Sequence, residues 1–234
     1  MNIKRKIKIA VVDDHQLFRD SLTRLINSPS LEDDKDYLVT MESSNGRDLL
    51  EQLQRADKSD IPEIILLDLN MPILDGFATL KRLTQLYPSI KIIMLTMQDD
   101  QDSIIKCIKA GATGYLPKDI SPEVLVVALA ETLEKGYFYE ESITGKMVTH
   151  IKSEDQLQQT KLDDIKISFS DREKTFLRLA CSELTYKQIA NEMYLSERTV
   201  EGYREAMFTK LRVTSRVGLV LAAIKRGIFE INPE

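Results

Sequence analysis

Asp13 and Asp14 close one apolar run, Asp68 closes another, Thr96 follows a third, and Lys118 stands just beyond Pro117 at the end of a fourth. Three carboxylates, a hydroxyl and an ammonium can do chemistry together if the fold converges these ends. Clustered carboxylates repel one another and raise each other's pKa unless a cation compensates, so the economical occupant is a divalent metal. Oxygen donors from few side chains suit Mg2+, which keeps several waters and often bridges to phosphate. Lys118 would complement a phosphoryl oxygen, and Thr96 would donate a hydrogen bond to another. One Asp left free to attack phosphorus completes the set. Taken singly, an Asp at a strand end is an ordinary turn or cap residue; the combination carries the reading.

Positioning these groups needs strands whose carboxyl ends meet. The apolar runs at residues 7–12, 38–41, 64–67, 92–95 and 113–116 alternate with helical patterns at 17–26, 47–54, 77–87, 103–110 and 122–134. The last helix has Ser121 as N-cap and Pro122 at its first position. Such alternation implies a five-stranded parallel sheet, doubly wound, with helices on both faces. In that fold ligands sit outside the carboxyl ends of the strands, near the place where strand order reverses.

Regularity is lost after Gly136, and the polar stretch 152–164 reads as an interdomain linker. From Ser168 onward no strand-like run occurs, and four helices are marked by caps. Ser170 with Glu173 and Thr185 with Gln188 fit the capping box, Ser196 and Ser215 are further N-caps, and Gly227 is a C-terminal stop. The expected organisation is an α/β domain over 1–135, a linker over 136–167 and an all-α four-helix domain over 168–234. Residues 184–201 read as helix, short turn and second helix. In the second helix Val200, Tyr203, Met207 and Leu211 recur at helical spacing, leaving Arg198, Glu201, Gly202, Arg204 and Glu205 toward the open side, as a recognition helix requires.

With 234 residues, 43% of them apolar, the chain can build a core in each domain. Its net charge of −5 excludes a uniformly polyanion-binding protein. The charge is uneven, however: residues 1–140 carry 17 basic against 23 acidic side chains, and residues 166–234 carry 12 against 9. Nucleic acid, if bound, meets the last third. Cys107 and Cys181 have no paired spacing for a disulfide framework or a zinc site. Asp13 and Asp14 interrupt the apolar start too early for a secretion signal, and no run approaches the roughly 20 residues of a membrane span. A cytoplasmic protein without a membrane partner is expected.

The first 135 residues resemble the receiver domain of two-component signalling. The resemblance rests on Val11-Val12-Asp13-Asp14-His15, on the run from Leu66 through Asp68, Asn70 and Pro72 to Gly76, on Leu95-Thr96 and on Gly114-Tyr115-Leu116-Pro117-Lys118. It implies that Asp68 accepts a phosphoryl group from a histidine kinase. It further implies that Asp14, Asp68 and the carbonyl of Asn70 hold Mg2+, with Asp13 acting partly through water. Thr96 and Lys118 would bind phosphoryl oxygens, and Tyr115 would be the aromatic that changes rotamer with Thr96. Pro117 departs from the usual Leu and leaves the isomer of the Leu116–Pro117 bond open. His15 reads as a neighbour of the acidic pocket.

Residues 168–231 resemble the LuxR-type helix-turn-helix domain of the NarL/FixJ regulators, through Ser170 with Glu173, Lys187-Gln188-Ile189-Ala190, Leu195-Ser196, Arg198-Thr199-Val200 and Lys210-Leu211. The resemblance implies double-stranded DNA as partner and contacts from Lys187, Arg198, Thr199, Glu201, Gly202, Arg204, Glu205 and Lys210. Arg212 and Arg216 are expected to meet phosphates. Glu201 and Glu205 stand where several relatives carry Lys; a carboxylate can accept from a cytosine amino group but repels phosphate. Tyr194 replaces a usual turn Gly, which would strain the turn. The modest positive charge suggests a homodimer on activation, two modules binding together. Two other classes compete. A phosphohydrolase would place a second Asp where Asn70 stands, so turnover of other molecules is not expected. A phospho-switch whose helical domain binds a protein remains the alternative.

Overall fold

β3 (Ile64–Asp68) buries all five of its residues, as a strand covered on both faces must. The computed structural model describes residues 6–28, 35–97, 101–139, 168–182, 184–213, 215–226 and 228. Around β3 the chain runs β1 (Lys6–Val12), α1 (Gln16–Ile26), β2 (Asp36–Ser43), α2 (Gly46–Arg55), β3, α3 (Gly76–Leu86), β4 (Lys91–Thr96), α4 (Gln101–Lys109), β5 (Gly114–Pro117) and α5 (Pro122–Glu134). All pairings are parallel and the order is β2-β1-β3-β4-β5. The order reverses between β1 and β3, so the crevice opens where Asp13, Asp14 and Asp68 end their strands.

Alternation along β1 divides the core. Ala10 and Val12 face Leu49, Leu53, Leu80, Leu83 and Ile108 on one side, while Ile9 and Val11 face Leu22, Ile26, Leu125 and Leu129 on the other. β2 is longer than its apolar run because its partly exposed ends still pair: Ile9 meets Val39 and Ala10 meets Met41, leaving Thr40 as the extra residue of a bulge. Polar side chains set the helix starts. Asn45 accepts from the Asp48 amide, Asp75 from that of Ala78 and Ser121 from that of Val124.

The C-terminal helices are α6 (Asp171–Ala180), α7 (Tyr186–Glu192), α8 (Glu197–Leu211) and α9 (Arg216–Lys225). Capping boxes at Ser170–Glu173 and Thr185–Gln188 are both formed, and Ser196 and Ser215 cap α8 and α9. Each such cap contributes about 1 kcal/mol. Phe176 stacks between Tyr186 and Tyr203 over a core of Leu177, Ile189, Val200, Met207 and Leu219. Residues 140–167 of the expected linker and Gly227 lie outside the described residues, whereas the first residues of that stretch pack on the sheet domain, Phe138 pairing with Gly114 and Tyr139 donating to Ala112 O.

The two units touch at the amino ends of β4 and β5, away from the acidic crevice. Arg216 is 4% exposed. Its Nε donates to Ala180 O at 3.0 Å and Nη2 to Ser182 O at 2.9 Å, while Nη1 reaches across to Lys135 O at 3.2 Å. Its guanidinium also lies over the rings of Tyr137 and Tyr186. These carbonyls belong to the carboxyl ends of α6 and α5, where helix dipoles favour a cation. The expectation that Arg216 meets phosphate is therefore corrected: it is buried in carbonyls. Val217 packs against the sheet domain's core.

Candidate functional site

Register brings the predicted groups together. Asp68 lies opposite Leu95 and Thr96 opposite Pro117. The amide of Leu69 donates to Leu95 O at 3.1 Å, that of Lys118 to Thr96 O at 2.8 Å, and that of Asp13 to Ser43 O at 3.0 Å. These bonds tie the carboxyl ends of all five strands along one edge of the sheet. Pro117 fits because β5 is an edge strand, where a missing amide leaves no central ladder broken; its peptide bond is trans.

Lys118 Nζ sits 2.6 Å from Asp13 Oδ2 and 3.1 Å from Asp68 Oδ2, with the three side chains 6%, 0% and 3% exposed. The close contact to Asp13 is an ion pair lying off the line of a hydrogen bond. Burial pushes the Asp68 carboxyl above its ordinary value of 3.8, against the pull of the Lys118 ammonium; the charge of Asp13 adds to the rise and the Asn70 amide opposes it. Asp13 Oδ1 accepts from the amide of His15 at 2.9 Å, and Arg19 donates to Asp13 O at 2.6 Å. His15 Nδ1 lies 3.0 Å from Asp14 Oδ1.

Ligand atoms of Asp13, Asp14, His15 and Asp68 all lie within 4.8 Å of one another. Three hard carboxylates with one of them exposed to solvent fit a hydrated Mg2+, and the buried carboxylate pair has one ammonium to balance two charges. Thr96 is buried at the same end of the sheet, and Tyr115 is buried in the core beneath it. Two residues that the chemical reading passed over complete the frame. A Cβ on Gly76 would lie 2.0 Å from Asp68 O, so only glycine lets α3 start against the acidic strand end. Arg19, on α1, ties that helix to the end of β1; its place in the amphipathic pattern gives no sign of this contact.

In α8 the open stripe is narrower than expected. Arg198, Thr199, Gly202 and Glu205 are exposed, as is Lys187 on α7. Glu201 and Arg204 are paired with each other, and Arg204 lies between the rings of Tyr186 and Phe208 with its side chain 14% exposed. It lines a small cleft with Thr84, Ile90 and Lys91 of the sheet domain. There burial, helped by Arg204 and opposed by Glu201, pulls the Lys91 ammonium down to about 8. Lys210 Nζ holds both carboxylate oxygens of Glu173 at 2.8 and 2.9 Å. Arg204 is thus turned inward in this arrangement, and Lys210, its side chain 31% exposed, is engaged by Glu173, so neither stands free on the surface expected to meet DNA. The cause is the same for each: a carboxylate and aromatic rings within reach compete with solvent. Among the described residues nothing lies within 4 Å of a would-be Cβ on Gly202, so their packing does not require glycine there.

Residues 9–130 match the family described as response regulator receiver domain, and residues 167–223 match bacterial regulatory proteins of the luxR family. The chain is 28% identical over 229 residues to the nitrate/nitrite response regulator protein NarL of Escherichia coli (strain K12), covering 98% of this chain and 100% of that one. It is 33% identical over 212 residues to the nitrate/nitrite response regulator protein homolog of Haemophilus influenzae, covering 91% and 93%. Among solved structures it resembles the two-component response regulator RcsB in a DNA complex, with a TM-score of 0.53 and 22% identity over 93% of this chain and 98% of that one. That likeness concerns the fold. No helix among the described residues is long and apolar enough to cross a membrane.

Proposed function

The chain belongs to the NarL/FixJ family of response regulators, and from that premise we propose that it is a transcription regulator switched by a phosphoryl group on Asp68. The observation that carries the reading is the convergence of Asp13, Asp14, Asp68 and Lys118 at the switch point of the sheet, on one chain with a helix-turn-helix domain. The receiver spans 1–135, the linker 136–167 and the DNA-binding domain 168–234.

A carboxylate oxygen of Asp68 attacks the phosphorus of a kinase phosphohistidine; the new P–O bond forms as the P–N bond breaks, and the electron pair returns to the imidazole. Asp13, Asp14, Asp68 and the Asn70 carbonyl would hold Mg2+, which when bound offsets charge on the phosphoryl oxygens. Lys118 meets the added negative charge, and Thr96 donates to a phosphoryl oxygen. Tyr115 follows Thr96 as the switch. Asn70 offers no acid–base group, so water hydrolyses the acyl phosphate slowly and no other molecule is turned over. The partners are a histidine kinase, duplex DNA and a second copy on activation, in the cytoplasm.

Lys187, Arg198, Thr199, Gly202 and Glu205 form the surface offered to DNA, and Glu201, Arg204 and Lys210 join it only where their internal pairs open. Acidic Glu197, Glu201 and Glu205 favour the second reading, a basic protein partner. Fluorescence anisotropy of a library of short duplexes, before and after acetyl phosphate with Mg2+, separates the two. Salt-sensitive binding strengthened by the phosphodonor, and unaffected by it in Asp68→Asn, supports the first. Phosphorylation at Asp68 with no duplex bound at any salt concentration leaves the receiver standing and overturns DNA as the target.

A further inference from the structure

Tyr194 carries a backbone cost for which the protein's own fold gives no return. It lies in the turn between α7 and α8 at φ 55°, in the left-handed region that a side chain with a Cβ disfavours. Its amide donates to Asn191 O at 3.1 Å, a bond that glycine would make as well. The side chain is 95% exposed, and among the described residues no group pairs with its hydroxyl or stacks on its ring. Of the two other non-glycine residues with positive φ, Arg212 ends α8 as a left-handed C-cap, and Ile73, 68% exposed, lies in the loop between β3 and α3. Strain without internal packing points outside the chain for its purpose.

Place and charge define the partner. The turn runs directly into Ser196, the cap of α8, and the first open residues of that helix, Arg198 and Thr199, follow within two turns. A major-groove helix reads bases from its amino-terminal part, while the first helix of the pair, on whose end this turn sits, crosses the sugar–phosphate backbone. Exposed Glu192 and Glu197 flank this turn, and the nearest exposed cation along the chain is Arg198, four residues on, so among the described residues the turn itself carries no cation for phosphate. A phenol is a neutral donor that meets a phosphate oxygen without one, and its ring covers the adjoining sugar.

We propose that Tyr194 is a DNA-backbone contact, its hydroxyl donating to a phosphate oxygen beside the groove that receives α8. This rests on the DNA-binding reading above. The test uses the full chain treated with acetyl phosphate and Mg2+, and duplexes selected by the wild-type protein from a random pool. Tyr194→Phe removes the hydroxyl; Tyr194→Gly removes the ring and the backbone strain together. The expected result for Tyr194→Phe is about tenfold weaker binding to every duplex, in line with one hydrogen bond to a charged group. The ranking of duplexes and the salt slope stay unchanged, because a neutral backbone contact reads no base and neutralises no phosphate. Tyr194→Gly binds more weakly still while its melting temperature holds or rises, an outcome that a merely structural role would not produce. Wild-type affinity in both variants overturns the contact and leaves DNA binding intact. A loss confined to certain sequences overturns the backbone assignment. A wild-type protein that selects no duplex overturns the DNA reading, and this contact with it.

Discussion

Lys118→Met removes the ammonium that stands between two buried carboxylates, 2.6 Å from Asp13 and 3.1 Å from Asp68. Breaking a buried pair by deleting one partner costs about 3–5 kcal/mol. The protein has one escape, protonation of a carboxylate, and that sets a ceiling. From the ordinary value of 3.8, placing one proton at pH 7 costs about 4 kcal/mol at 1.36 kcal/mol per pKa unit. At pH 5 the same proton costs about 2 kcal/mol. The sign follows from linkage. Asp68 is already raised in the folded state, so the stability tied to its proton is full below the unfolded value and lost as pH rises through the folded one. Removing Lys118 raises it further and steepens that loss. In EDTA, denaturant unfolding of Lys118→Met against wild type should thus show a deficit near 4 kcal/mol at pH 7 that shrinks by about half at pH 5. Added Mg2+ should restore much of the difference, since a cation that binds only the folded state stabilises it by mass action. An equal deficit at both pH values, unmoved by Mg2+, would refute charge compensation as the role of Lys118.

Three further substitutions test other parts of the structure. Gly76→Ala forces a Cβ to 2.0 Å from the carbonyl oxygen of Asp68; backbone cannot give way cheaply, so we expect a loss of about 3 kcal/mol together with slower phosphorylation, followed by unfolding curves and intact mass. Gly202→Ala meets open space and should stabilise the helical domain by about 1 kcal/mol. If α8 lies close against a base edge, the same change weakens DNA binding, and anisotropy beside calorimetry separates the two effects. Arg216→Met strips a donor from the carbonyls of Ala180, Ser182 and Lys135. Amide hydrogen exchange should then rise around Lys135 and Cys181, and small-angle scattering should report a longer molecule.

The fold was legible wherever a single element carried its own signal. The five runs and five amphipathic segments marked the sheet domain because burial on two faces leaves continuous apolar strands. Ser170, Thr185, Ser196 and Ser215 marked the C-terminal helices because a cap is a local bond. The residues gathered at the acidic crevice were legible for a topological reason: an open parallel sheet puts every carboxyl end on one side. Arg216, Arg204 and Lys210 were not legible. Each has the composition of a phosphate contact, yet Arg216 and Lys210 are claimed by groups that tertiary packing brings near, carbonyls at two helix ends and Glu173, while Arg204 is held by Glu201 and Phe208 of its own helix and by the ring of Tyr186. Gly76 reads as one more turn glycine until its distance from Asp68 is known.

The contact made by Arg216 gains its meaning from where β4 and β5 begin and end. β4 starts on Lys91, beside Arg204 of the helical domain, and finishes on Thr96 in the crevice. The helix between β4 and β5 offers Ile108 O toward Ser215, and the crevice end of β5 leads into Lys118. The two sites therefore sit at opposite ends of the same strands, and neither touches the other. Spatial intermediacy alone does not establish coupling; an element with two arrangements, biased by both sites, is needed. Linkage nevertheless fixes one relation between them. Whatever factor phosphorylation of Asp68 applies to the equilibrium between docked and undocked domains, undocking applies to the phosphorylation equilibrium in return. Arg216→Met shifts docking from the far end of the sheet without touching the crevice. Its phosphorylated fraction at a fixed ratio of acetyl phosphate to acetate must move if the sites are coupled, and must stay with wild type if the strands merely hold two independent devices apart.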